Sequence, residues 1–145
     1  MKFEPKDRDF IEKVYKSFSK QAVMRLIGAE LTKVEPGKVD IKLPFRSDLT
    51  QQNGFIHAGI ITTIADSACG YAAFSLMPQD SSVLSVEFKV NLLSPAVGDF
   101  FKAEGRVIKA GKNLIVVSGD VFAVKKKEIK QIAAMLATIM CVKSN

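Results

Sequence analysis

From Ala58 to Leu76 the chain reads AGIITTIADSACGYAAFSL, a run with a single charged side chain, Asp66. Taken as a helix, it is about 28 Å long. Ile60, Ile61, Ile64, Ala65, Ala68, Cys69, Ala72, Ala73 and Leu76 go all the way round it and leave no consistently polar face. Such a helix is either buried on all sides or set in a membrane. A membrane would hold Asp66 near the bilayer centre at a cost of about 2.5 to 3.5 kcal/mol, between flanks that alternate like soluble strands. A helix buried in protein is therefore expected, with no membrane partner, and whatever surrounds it must be built from the rest of the chain.

The rest is suited to that task. At 145 residues the chain fits one domain able to bury about two thirds of its unfolded surface. Pro5 to about Ser19 carries Phe10, Ile11, Val14, Tyr15 and Phe18 at helical spacing, and Val23, Met24 and Leu26 suggest a further turn stopped by Gly28. From Ala29 the period changes to that of strands. Val39, Ile41 and Leu43 alternate with Lys38, Asp40 and Lys42, after a turn at Pro36-Gly37, and Pro44 ends the strand.

After Pro78, Leu84, Val86, Phe88, Val90 and Leu92 alternate with Ser85, Glu87, Lys89 and Asn91, up to Ser94-Pro95. Phe101, Ala103, Gly105 and Val107 oppose Lys102, Glu104 and Arg106 in the next strand. Lys109 to Asn113 reads as a hairpin turn with Gly111 at its tip, and Leu114 to Val124 is rich in β-branched residues. Ile129 to Val142 suits either period. It is assigned as a strand because its neighbours form a meander, and a central strand covered on both faces can be apolar throughout. One long helix and about six antiparallel strands give an α+β domain in which the sheet curls round the helix.

The charged start, Met1 to Asp9, is followed by no apolar leader core, so a cytoplasmic protein is expected, with Cys69 and Cys141 as buried thiols rather than a disulfide. The net charge of +6 comes without a nucleic-acid-binding motif. It suits a solvated surface, or steering of a polyanionic small molecule such as coenzyme A. One histidine and two widely separated cysteines make no recognisable metal site.

Asp66 is the chemical anomaly. It is either a structural carboxylate satisfied by Thr62, Thr63 or a nearby backbone donor, or a general base whose pKa burial would raise towards neutrality. His57 stands at the helix start as a capping residue or a site residue. There the N–H groups of Ala58 and Gly59 lack helical partners and can polarise a carbonyl oxygen.

The stretch Gly54-Phe55-Ile56-His57-Ala58-Gly59, followed by Asp66-Ser67-Ala68, resembles the signature of hotdog-fold acyl-CoA thioesterases of the phenylacetate-pathway (PaaI-like) type, N-x-x-G-x-x-H-G-G-x6-D-x-A. Ser85-Val86-Glu87-Phe88, Leu93-Ser94-Pro95 and the segment from Gly105 to Lys112 are similar to its later strands. The resemblance covers about Ala29 to Val142. It departs at Gln51, where the pattern has Asn, with Asn53 as a nearby alternative, and at Ala58, where it has Gly.

The resemblance implies one hotdog domain over 1–145, with a helical segment at 1–28 and the core at 29–145. It implies a homodimer or homotetramer in which edge strands pair, and acyl-CoA hydrolysis with no cofactor beyond the CoA of the substrate. Asp66 would act as general base or nucleophile, and the N–H of Ala58 or Gly59 would hold the thioester oxygen. Gln51 would place water, Ser85 would assist, and His57 would orient the entrance loop. Asn53, Gly54, Arg106, Lys109, Gly111 and Lys112 would serve substrate binding. A non-catalytic acyl-CoA binding module and a hydratase or dehydratase of the same fold are the alternatives.

Overall fold

The structure is a computed structural model and describes residues 2–144. Met1 and Asn145, the ends of the expected domain, lie outside the described residues. Two short helices, α1 (Phe10–Ser19) and α2 (Ala22–Ile27), precede the hairpin β1 (Glu30–Glu35) and β2 (Lys38–Pro44). A loop leads to α3 (Ala58–Phe74). After it come β3 (Ser81–Leu92), β4 (Phe100–Ala110), β5 (Leu114–Lys125) and β6 (Glu128–Lys143). The strands form one antiparallel sheet in the order β1-β2-β4-β5-β6-β3. This is the hotdog arrangement: the sheet curls round α3, and α3 packs against β2, β3, β4, β5 and β6.

The alternation read from the sequence selects the inner face. Val39, Ile41 and Leu43 of β2, Phe101 and Ala103 of β4, Val117 and Val121 of β5, and Ala137 and Ile139 of β6 are all fully buried. Asp40 is an exception to the expected wet face of β2. It is buried under two cations from β4, with Lys102 Nζ at 3.1 Å and Arg106 Nη1 at 2.7 Å.

Two glycines let the helix sit this close. Gly105 and Gly119 face each other across β4 and β5. A Cβ at Gly105 would lie 2.1 Å from the Ala68 carbonyl oxygen, and one at Gly119 would lie 2.6 Å from Cys69 Sγ. A backbone oxygen in mid-helix cannot move aside, so Gly105→Ala is expected to lower unfolding stability by about 3 kcal/mol, measured by urea denaturation. A loss of under about half a kilocalorie would show that the contact has slack.

Other boundaries and exposures also differ from expectation. α1 begins at Phe10 rather than Pro5, because Asp7 Oδ1 accepts the Asp9 N–H at 2.9 Å and holds a turn there. α3 stops at Phe74 rather than Leu76. The buried Ser75 hydroxyl donates to the Ala72 carbonyl at 2.7 Å and accepts the Gly37 N–H at 2.8 Å, while Leu76 and Met77 turn tightly. β6 is the expected strand, central in the sheet, yet only its inner face is covered within the chain, and Leu136 and Met140 are exposed on the outside. Cys141 is half-buried rather than buried.

α3 itself is not buried all round. Gly59, Thr63, Asp66 and Gly70, one stripe along the helix, remain exposed or half-exposed. A six-stranded sheet ending at β1 and β3 wraps most of the helix and leaves a slot, and Asp66 faces that slot. The all-apolar composition thus reflects burial on most sides, with the open stripe made of small and polar residues.

Candidate active site

The entrance loop is built to start α3 at a fixed place. Gly54 adopts φ +81° and donates to the Gln51 carbonyl at 3.0 Å, a turn that suits glycine. The Gln51 side-chain oxygen accepts the Asn53 N–H, and the His57 N–H reaches the Leu49 carbonyl at 2.9 Å. His57 then caps the helix, its Nδ1 accepting the Gly59 N–H at 2.8 Å. Ile60 and Ile61 donate to the His57 carbonyl. Of the first-turn donors, Ala58 N–H alone meets no acceptor among the described residues. Ala58 lines an apolar cavity of about 450 Å³, walled by Gln51, Phe55, Ile61, Leu93 and Ile132.

Eight residues further, Asp66 opens on a second cavity, of about 190 Å³. Neither threonine satisfies it: Thr62 and Thr63 donate to the carbonyls of Ala58 and Gly59 in the preceding turn. Its partner is Ser85, whose hydroxyl donates to Asp66 Oδ1 at 2.7 Å. Simple alternation would put Ser85 on the wet face with Glu87 and Lys89. The pairing instead shifts between Ser85 and Glu87, and Val86 bulges out. The bulge reverses the phase, so Ser85 pairs with inward-facing Ile139 while Glu87 pairs with Thr138.

The same cavity holds three side chains that sequence reasoning passed over. Ser67 donates to the Gln21 side-chain oxygen, Oε1, at 3.3 Å, and the Tyr71 hydroxyl lies 3.2 Å from Ser17 Oγ. Ser67 and Tyr71 could have been found from their place beside and five positions after Asp66. Gln21, from the turn between α1 and α2, carries no local signal.

The expected phosphate-binding residues fall elsewhere. Arg106 is committed to Asp40 and to Glu104, 3.0 Å away on the outer sheet face. Lys109 and Lys112 are exposed at the β4–β5 hairpin, with Gly111 between them donating to the Leu114 carbonyl at 2.9 Å. Lys112 and Gly111 border Leu76 and Pro78, at the far end of α3 from Ala58. Cys69 is no rival nucleophile, since burial pushes its thiol up to about 12 and keeps it protonated.

A sheet curled round one helix, with a carboxylate at mid-helix and a free N–H at its start, defines a hotdog protein with parts suited to acyl transfer to water. Residues 53–130 match the thioesterase superfamily, and the chain belongs to it. It is similar to a thioesterase family protein from Silicibacter pomeroyi, with 46% identity and a TM-score of 0.91 over 93% of this chain and 99% of that one. Its fold is similar to that of the E. coli PaaI protein from the phenylacetic acid degradation operon, at 17% identity and a TM-score of 0.83 over 94% and 96% of the two chains. A 1,4-dihydroxy-2-naphthoyl-CoA hydrolase of Listeria monocytogenes is 27% identical over 70% of this chain and 94% of its own. Thioester hydrolysis is thus the activity of its class. Among the described residues no helix is long and apolar enough to cross a membrane, and no cluster is suited to a metal ion.

Proposed function

We propose that the protein hydrolyses acyl-CoA thioesters at a site shared between two subunits, with Asp66 as general base. The observation that carries this reading is the split of the machinery. Asp66 and Ser85 face one cavity, whereas the free Ala58 N–H and Gln51 face another, about 12 Å away along the same helix. A second copy related by a two-fold axis would lay its α3 antiparallel and bring the two halves together.

The surface supports that pairing. β3 is an edge strand of twelve residues with Leu84, Val86, Phe88 and Leu92 exposed, a long apolar edge that a lone soluble chain would leave open to association. The open stripe on α3 lies alongside. The CoA moiety of the substrate is supported by the Listeria relative's name and by the positive net charge.

In this mechanism the Ala58 N–H of one subunit holds the thioester oxygen, and Asp66 of the other takes a proton from water as its oxygen attacks the carbonyl carbon. The tetrahedral intermediate collapses, the C–S bond breaks, and the thiolate leaves as CoA with the proton returned from Asp66. Ser85 holds the carboxylate in place. Gln51 spends its carbonyl oxygen on the loop and keeps its amide hydrogens for water or substrate. Release of free thiol from a panel of short, long and aryl acyl-CoAs tests the reading. Binding of CoA thioesters without thiol release would overturn hydrolysis in favour of a binding module.

In the same dimer, the end of α3 that carries the Lys112 hairpin would lie beside the partner's entrance loop, within reach of the phosphates of CoA. Charge reversal of Lys109 and Lys112 together is expected to raise KM for acyl-CoA about tenfold and to leave kcat within about twofold. An unchanged KM would return both lysines to the solvated surface.

A further inference from the structure

The loop that starts α3 is held from two sides. On one, the Phe45 and Ile56 N–H groups donate to the Asp99 and Ala96 carbonyls of the β3–β4 connection, at 3.0 and 3.2 Å. On the other stands α2, and among the described residues the hydrogen bond that reaches it comes from Arg46. The end of α2 is closed by the Gly28 N–H on the Arg25 carbonyl and the Ala29 N–H on the Met24 carbonyl, at 3.3 and 2.9 Å. This leaves the Leu26 carbonyl without a backbone donor. Arg46 Nη1 donates to it at 2.8 Å.

The same guanidinium turns its other edge to Asp48. Nε and Nη2 donate to the two carboxylate oxygens at 3.1 and 2.6 Å, a bidentate pair, and these hydrogen bonds hold the Asp48 carboxyl below the usual carboxylate range. Asp48 lies in a single 3-10 turn, Ser47–Leu49, which the Leu49 N–H closes on the Arg46 carbonyl at 3.1 Å. Arg46 is half-exposed and Asp48 exposed, and an exposed ion pair contributes little to stability. What the pair supplies is direction. The Leu49 carbonyl at the end of the turn accepts the His57 N–H at 2.9 Å, and the next N–H along the chain is that of Ala58.

Resting on the thioesterase reading above, we propose that Arg46 is a positioning residue of the site: anchored on α2, it sets the Ser47–Leu49 turn and thereby aims the Ala58 N–H at the thioester oxygen. Arg46 and α2 both precede residues 53–130, the part matched by the superfamily, so the helical start of the chain serves the chemistry without touching substrate. A donor displaced by about 1 Å costs up to about a hundredfold in rate. A loop freed on one side and still held by Asp99 and Ala96 on the other is expected to cost about tenfold. Lysine cannot replace the guanidinium, because one ammonium nitrogen cannot fork onto Asp48 and reach Leu26 from the opposite edge.

The test is a cycle of Arg46→Ala and Ala58→Pro, the second removing the N–H that Arg46 aims. Thiol release from acyl-CoA is one readout and amide hydrogen exchange at His57 is the other. Arg46→Ala is expected to lower kcat about tenfold, to leave KM within about twofold and to speed His57 exchange about tenfold or more, and Arg46→Lys should do the same. On the Ala58→Pro background Arg46→Ala should lower kcat no further. An unchanged kcat in Arg46→Ala, or a His57 amide that exchanges no faster, overturns the proposal. An equal loss of kcat in both backgrounds also overturns it and assigns Arg46 to general stability. If the wild type releases no thiol from any acyl-CoA, the hydrolase reading falls and exchange alone decides: faster exchange at His57 sustains Arg46 as the residue that fixes the helix start, and unchanged exchange removes it.

Discussion

Asp66→Asn is expected to lower kcat for acyl-CoA by about a hundredfold or more, while KM changes little and the fold is kept. The carboxamide has the shape of the carboxylate and still presents Oδ1 to the Ser85 hydroxyl, which donates at 2.7 Å. What it loses is the ability to take a proton from water. Because the contact with Ser85 survives, a drop in rate reports chemistry rather than collapse of the cavity, and a denaturation curve matching wild type would document that. Ser85→Ala should cost less, since it removes only the group that holds the carboxylate, and the two changes together should fall short of additivity. Near-normal turnover by the Asn variant would remove Asp66 from the mechanism.

How much of this could be read beforehand depends on the range of the interaction that sets each feature. The helix–sheet architecture was legible because burial of α3 demands an enclosing sheet and the strands announce themselves by period two. The helix start was legible too, since Gly54, His57, Ala58 and Gly59 are close in sequence and act on one another directly. Ser85 shows where local reading fails. Its alternation places it outside, and only the extra residue at Val86, expressed in the pairing with β6, turns it toward Asp66. Gly105 and Gly119 look like ordinary weak points of strands until α3 is laid across them. Asp40 reads as a charge on a wet face and Arg106 as a substrate-binding residue, and the two prove to pair with each other across adjacent strands. Gln21 reaches Ser67 across 46 positions through a docked helix, a contact that no local pattern encodes.

The shared site yields the other large effect, and the geometry of the helix start supplies a clean variant for it. Ala58 is the first residue of α3, where proline is tolerated because that N–H has no helical acceptor. His57 before it already has φ −58° and ψ 137°, the extended conformation that a following proline requires. Ala58→Pro therefore deletes the proposed oxyanion donor while leaving helix and cap intact, which substitution at Gly59 would not do, since its N–H is bound to His57. Alone, Ala58→Pro should lower kcat by about a hundredfold, the usual loss for one such donor. Alone, Asp66→Ala should do at least as much. Mixed and allowed to exchange subunits, the two inactive proteins should recover activity, because each heterodimer contains one site with wild-type Asp66 from one chain and wild-type Ala58 from the other. The expected plateau is one working site per heterodimer, half of the wild-type value for that species and about a quarter for a statistical mixture. A site complete within one chain predicts no recovery at any mixing ratio. Heterodimers verified by mass that stay inactive, or full activity in a chain shown to be monomeric, would rule the shared site out, since about 12 Å of helix separates the two groups within a single subunit.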